Sequence, residues 1–311
     1  MTAELLTKSG RRVSEFCFGT MQFGGKADAT QSRALFEACR EAGITHFDTA
    51  FAYTNGASER LLGAFAAHER DDLFIATKCA HPGNAAPDLI TEQFDESLAR
   101  LDMDYVDLLY LHRWDDGTPL ELTFEALAKM VEAGRVRHIG LSNFAAWQVM
   151  KAVAVAKEFS LTITALQPMY NLVKRQAEVE ILPMALSESI AILPYSPLGG
   201  GLLTGKYNRG NGGRLKDDAM YAARYGQDWM HKAAQALHEH ADKAGVSPIT
   251  LAVAWVARHP GVTGPIISAS NPDQLQPSLD AIDFTLSDEA YAALSGLTPT
   301  PPPATDRSEE A

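Results

Sequence analysis

Cysteine is scarce in this chain. Three occur in 311 residues, Cys17, Cys39 and Cys79. So small and odd a set argues against a disulfide framework and for a reducing compartment. Long apolar runs are missing too. No stretch approaches the roughly 18 residues that cross a bilayer as a helix. The opening MTAELLTKSGRRVSEF lacks the apolar core of a secretion signal, so a cytoplasmic location is expected. Positive charge is outnumbered, with 27 Lys and Arg against 39 Asp and Glu and a formal net charge of −12. That balance argues against nucleic acid or an anionic membrane as partner, while leaving room for a local basic pocket. Neither GxGxxG nor GxxxxGK[ST] occurs, so a Rossmann fold or a P-loop finds no support. A metal site is not expected either. His238, His240 and Asp242 cluster in sequence, but positions i and i+2 face different sides of a helix.

What the chain does have is regular alternation. Short strand-like runs, FCFG (16–19), HFDTA (46–50), LFIATK (73–78), VDLLYLH (106–112), VRHIGL (136–141), TITALQ (162–167), AILPYS (191–196) and VTGPII (262–267), are each followed by polar or helix-like sequence. In the first half the repeat is roughly 30 residues, the size of a βα unit. Eight such strands favour a closed α/β structure, the (β/α)8 or TIM barrel, over a doubly wound sheet. LLTKSGRRVS predicts an N-terminal β-hairpin turning at Ser9-Gly10 and plugging the barrel bottom. Helices near Asp228–Ala244 and Pro248–His259 are extra C-terminal elements. Between them and AILPYS lies a long connection rich in Gly and basic residues, suited to cover a ligand site. One domain over 1–298 is expected, with the Pro-rich, charged tail 299–311 disordered.

Four chemically active side chains sit at strand ends: Asp48, Tyr53 just beyond it, Lys78 and His112. In such barrels the active site lies at that end of the strands. Carbonyl reduction needs a hydride donor and an acid to protonate the developing alkoxide. A free phenol, with a pKa of about 10, is a weak acid for this task. Lys78 as an ammonium is expected to lower the pKa of Tyr53, with Asp48 holding Lys78 charged. His112 is suited to orient and polarise a carbonyl.

GITHFDTAFAY with SERLLG (58–63), EAGRVRHIGLSNF (132–144), LQPMYN (166–171) and PYSPLGGGLLTGKY (194–207) resemble the ordered signatures of the aldo-keto reductase family, across roughly residues 3 to 297. The resemblance implies a hydride-transferring oxidoreductase acting on an aldehyde, ketone, sugar or alcohol. It implies Tyr53 as general acid or base, with Asp48, Lys78 and His112 as partners. Ser142, Asn143 and Gln167 match the positions that bind the nicotinamide carboxamide, and Tyr195 the ring that stacks on it. Ser196, Leu198, Gly200 and Lys206 match the pyrophosphate segment, and Thr20 and Met21 also fall to the cofactor. Ser268, Ser270 and Gln274 align with the segment for the adenosine 2′-phosphate, where a cationic clamp is common. Here serine hydroxyls replace it, which makes NADH possible, while the family resemblance alone keeps NADPH slightly ahead.

Met21, Phe23, Phe51, His81 and Trp114 follow strand ends and are expected to line the substrate pocket, while Arg113 and Asp115 read as a structural ion pair. The substrate is a small molecule, and a monomer is the default. Two other readings compete. One is a cofactor-binding regulatory subunit resembling potassium-channel β subunits, which typically carry Asn where His112 stands. The other is a Schiff-base barrel lyase using Lys78 as nucleophile.

Overall fold

The computed structural model describes residues 5–205, 218–305 and 307. Eight strands form one parallel sheet: β1 Cys17–Gly19, β2 His46–Asp48, β3 Phe74–Cys79, β4 Val106–Leu111, β5 Val136–Ser142, β6 Ile163–Gln167, β7 Ala191–Ile192 and β8 Ile266–Ile267. Their order is β7-β6-β5-β4-β3-β2-β1-β8. Backbone bonds join the two ends, from Thr263 N to Ile192 O (2.8 Å) and from Ile266 N to Pro194 O (2.9 Å). The sheet is therefore closed as a (β/α)8 barrel. β7 and β8 are shorter than the sequence suggests because Pro194 and Pro265 have no N–H to give the ladder. Leu193 and Tyr195 nonetheless continue the β7 register, donating to Leu166 O and Pro168 O at 2.9 Å each.

Alternation along the strands sorts the side chains. Cys17, Phe74, Ala76, Leu108, Tyr110, Ala165, Ala191, Leu193 and Ile266 fill the barrel interior. Their neighbours Phe18, Phe47, Ile75, Leu109, Leu141, Leu166 and Ile192 belong to the outer core beneath the helices. By the same period of two, Asp48, Lys78, Ser142 and Gln167 are the next inward positions, at the C-terminal ends of their strands. Gly140 in β5 lets the Tyr110 ring lie across the barrel, since a Cβ there would stand 2.5 Å from its Cε1.

The hairpin forms as expected. Thr7 N bonds to Arg11 O (2.9 Å), Val13 N to Leu5 O (3.1 Å), and Gly10 takes φ 83° at the turn. Leu5 and Val13 pack on the interior cluster and close the barrel bottom. Outside run α1 Ala29–Glu41, α2 Ala57–Ala66, α3 Pro87–Leu101, α4 Leu120–Glu132, α5 Ala146–Glu158 and α6 Ile181–Ser187. In α3, Ile90, Phe94, Leu98 and Leu101 repeat at helical spacing and are buried. Truncating Phe94 to Ala is expected to cost about 3–5 kcal/mol.

Next come α7 Ala219–Tyr225, α8 Asp228–Ala244, α9 Pro248–Arg258, α10 Pro272–Leu279 and α11 Asp288–Ser295. The sequence reading placed no helix at α7. Asp218 starts it by accepting from Met220 N at 2.9 Å. Among the described residues, no helix is long and apolar enough to cross a membrane. Residue 306 and residues 308–311 of the tail lie outside the described residues.

Candidate active site

Lys78 is the hub. Its ammonium, on the inner face of β3, bonds to the Asp48 carboxylate, to Thr49 O (2.6 Å) and to the Tyr53 hydroxyl (3.4 Å). Asp48 is held from its other oxygen by Gln167 Nε2 at 2.9 Å, across the barrel. Both ends of this ion pair are buried. Burial is the largest influence on Lys78 and opposes its charge, but Asp48 and Tyr53 together outweigh it and lift the pKa above the ordinary value.

Tyr53 is presented by a strained turn. Thr54, Asn55 and Gly56 take φ of 46°, 52° and 81°. Such backbone persists only where its surroundings fix it. Thr54 Oγ1 donates to Phe23 O (2.8 Å) and accepts from Ser58 N (3.0 Å). From behind, Arg100 donates to Phe51 O (2.8 Å) and to the buried Glu59, which also accepts from Thr77 Oγ1 at 2.7 Å. A side chain at Gly56 would press its Cβ within 2.5 Å of Arg100.

Burial raises the Tyr53 phenol above its ordinary pKa, and Lys78 lowers it only in part. This reverses the expectation of a net lowering, because the ring stands deeper in the protein than the sequence could disclose. The group therefore stays protonated at neutral pH. The His112 ring lies edge-on to Tyr53, with centroids 6.2 Å apart. Burial, then the Lys78 charge, pushes its pKa down to about 3, so it is a neutral imidazole. Its Nδ1 is buried without a hydrogen-bond partner.

These groups open into a cavity of about 730 Å³, within the range of small-molecule sites. Of the expected site residues, Asp48, Tyr53, His112, Met21, Ser142, Asn143, Gln167, Tyr195, Ser196, Leu198, Gly200, Ser268, Ser270 and Gln274 line it. Lys78 lies beneath. The wall suits an amide-bearing ligand. Asn143, at φ 60°, donates to His112 O (3.0 Å) and Ser142 Oγ (3.1 Å), and accepts from the Tyr195 hydroxyl (2.7 Å). A carboxamide would have to take over one of these bonds. Ser196, Gly199, Gly200 and Gly201 all have positive φ, which turns this stretch of backbone tightly along the cavity. At the far end, Ser270 donates to Gln274 Oε1 (2.7 Å), and Asn271 caps α10 through Gln274 N (2.9 Å).

Other expected residues stand elsewhere. Thr20 is buried and donates to Asp48 O at 3.1 Å, clamping β1 to β2 rather than facing the cavity. Phe23 is fully buried, 5.7 Å from the Phe18 ring and 6.0 Å from the Phe65 ring. Phe51 lies under the Arg100 guanidinium at 4.4 Å. Trp114 packs edge-on against Phe144 and Trp147. His81 approaches His112, with ring centroids 5.7 Å apart, but is not part of the lining. The aromatic wall is made instead by Tyr53, Tyr195 and Tyr221.

Arg113 and Asp115 do not pair, because Asp115 accepts from Ala85 N (2.8 Å) and Gly117 N (2.7 Å). Lys206 lies outside the described residues. Sequence reasoning missed Lys26, Met220, Tyr221 and Arg224 in the lining. The available signal for three of them was Asp218 as a helix cap ahead of Met220, Tyr221 and Arg224. Among the described residues, no group of three or more His, Cys, Asp or Glu could hold a metal ion.

The sequence pattern of the aldo/keto reductase family matches residues 15–298. The chain belongs to the aldo/keto reductase family. It is 34% identical to aflatoxin B1 aldehyde reductase member 2 of Homo sapiens, over 85% of this chain and 80% of that one. It is 30% identical to L-glyceraldehyde 3-phosphate reductase of Escherichia coli, over 92% and 89%. It is 35% identical to a probable voltage-gated potassium channel subunit beta of Arabidopsis thaliana, over 89% and 90%. Membership, together with these named reductases, makes this aldo/keto reductase an NAD(P)H-dependent oxidoreductase of carbonyl and alcohol groups.

Proposed function

We propose that this enzyme reduces an aldehyde or ketone, or oxidises the matching alcohol, with Tyr53 as the general acid or base. The carrying observation is the Lys78 ammonium bonded at once to Asp48, to Thr49 O and to the Tyr53 hydroxyl, at the floor of the cavity that His112 lines. A bound nicotinamide supplies or accepts the hydride. The chain's own residues manage the proton. As a carbonyl oxygen gains negative charge, Tyr53 delivers its hydroxyl proton to it, and Lys78 stabilises the phenolate left behind. Asp48 and Gln167 fix Lys78 in place. His112, neutral and close to Tyr53, donates a hydrogen bond to the same oxygen. Ser142, Asn143, Gln167 and Tyr195 hold the nicotinamide end. Ser196, Leu198 and Gly200 hold the diphosphate, and Ser268, Ser270 and Gln274 the adenosine end.

NADPH is slightly favoured on family kinship alone, and NADH is accepted because hydroxyl and amide groups replace a cationic clamp at Ser268, Ser270 and Gln274. The substrate is a small carbonyl compound, and the enzyme works as a cytoplasmic monomer. The test is Tyr53→Phe, with turnover and cofactor binding measured separately. Fluorescence titration with NADPH should be nearly unchanged, while turnover falls by about 10²–10⁴. Near-full turnover would remove Tyr53 from the role. The kinship with a potassium channel subunit keeps a regulatory reading in view, and His112 in place of Asn favours the working enzyme. The Schiff-base reading is disfavoured because Lys78 is held charged by Asp48, which leaves no free amine lone pair.

A further inference from the structure

The cavity is charged opposite to the chain. Against a net −12, its lining carries Lys26, Arg113 and Arg224, and one acid, Asp48, which Lys78 already neutralises. Most arginines here have an acidic partner: Arg40 pairs with Glu69, Arg100 with Glu59, Arg175 with Glu178. Among the described residues, Arg113 and Arg224 do not. The acids nearest Arg113 in sequence are committed elsewhere, Asp115 to backbone N–H groups and Asp116 to Trp114 Nε1 at 2.5 Å. Arg224 is half-buried and rests against the Tyr221 ring, 5.5 Å from its centroid. A partly desolvated guanidinium without a counter-charge is costly unless a ligand supplies one.

Place matters as much as charge. Arg113 directly follows His112, and Arg224 comes from α7 beyond β7. Both arginines line the same cavity as Tyr53, His112 and Tyr195.

We infer that Arg113 and Arg224 form an anion-recognition pair that selects carbonyl substrates bearing a carboxylate or phosphate group. This rests on the proposed reductase reading of the same site. The planar, multidentate guanidinium suits either oxyanion, and two of them fix its orientation relative to Tyr53 and His112. Because the rest of the surface is acidic, such a substrate is repelled elsewhere and focused here.

The test compares para-carboxybenzaldehyde with its methyl ester, which is one methyl group larger and uncharged, at saturating NADPH. The ratio of their kcat/KM values, acid over ester, is expected to fall about tenfold or more in Arg113→Gln and in Arg224→Gln. Arg→Lys at either position should restore part of it. In the unmodified enzyme, KM for the carboxylate should rise with ionic strength while that for the ester does not. An unchanged ratio in both variants, with no salt effect, overturns the inference. So does a loss that falls on NADPH affinity instead, which would assign the arginines to the cofactor. Calorimetric binding of both aldehydes to protein holding excess NADP+ reads the anion site without turnover. Preferential carboxylate binding with no turnover of either aldehyde would sink the reductase reading and leave the anion site standing. Turnover without preference does the opposite.

Discussion

Lys78→Met separates structural from chemical roles at the hub of the site. Lys78 is 1% exposed and Asp48 is 3% exposed. Removing the ammonium leaves the Asp48 carboxylate with only the bond from Gln167, at 2.9 Å. An unpaired buried carboxylate costs about 3–5 kcal/mol, or forces its own protonation. Adding Asp48→Asn removes that charge, and the asparagine oxygen can still accept from Gln167. Most of the loss should then be recovered, giving a favourable coupling of at least ~2 kcal/mol in the double-mutant cycle. Urea denaturation at constant m measures all four corners. Turnover should not recover with stability, because neither variant offers Tyr53 a cation; the double variant should remain down by at least about 10². The pH sign is fixed too. The Lys78 pKa is raised in the fold, so its contribution is fully present below its unfolded value, about 10.4, and is lost as pH rises through the folded value. A loss below ~1 kcal/mol for Lys78→Met, or strictly additive single effects, would refute the buried ion pair as the organising contact.

Other consequences can be measured separately. Carbonyl reduction should hold steady through neutral pH and decline only above about 10, as the raised Tyr53 phenol ionises, while alcohol oxidation rises over the same range; profiles in both directions that follow a group near 6.5 instead would contradict this. His46 and His112 have pKa values lowered to about 3, so each takes up a proton more readily in the unfolded chain. Stability should therefore fall as pH drops below about 6.5, and His46→Leu should reduce that slope by up to ~1.4 kcal/mol per pH unit in acid denaturation series. Gln274→Arg, next to Ser270 at the start of α10, should shift the NADPH-to-NADH ratio of Kd values about tenfold or more toward NADPH; an unmoved ratio would place the 2′-phosphate elsewhere.

The sequence disclosed what alternation and strand ends determine. LFIATK and VDLLYLH end in Lys78 and His112, so both were readable as groups at one barrel end before any packing was known. Helix α8 was legible over its full length, Asp228–Ala244, because its apolar period is unbroken. Loop residues were not legible in this way. Phe23 and Trp114 follow strand ends just as Met21 does, yet only Met21 lines the cavity. Which way a loop side chain turns is decided by partners far off in sequence, such as Phe65 for Phe23, and no local period records them.

The buttress behind Tyr53 shows the same limit at the site itself. Glu59, Thr77 and Arg100 are separated by tens of residues, and each reads alone as an ordinary helix or strand residue. Together they form a buried charge cluster that holds Phe51 O and leaves no room for a side chain at Gly56. The strain of Thr54 and Asn55 at positive φ is carried by this cluster and by the Thr54 hydroxyl, so the position of the Tyr53 hydroxyl depends on residues that touch no substrate. Arg100→Met should then lower turnover more than it weakens NADPH binding, since it loosens the acid and not the cofactor wall. It should also destabilise the fold by about 3–5 kcal/mol, by leaving Glu59 buried and unpaired. Glu59→Gln added to it should restore stability but not turnover. Recovery of both together would mean that the cluster supports the fold alone and that the Tyr53 turn keeps its shape without it.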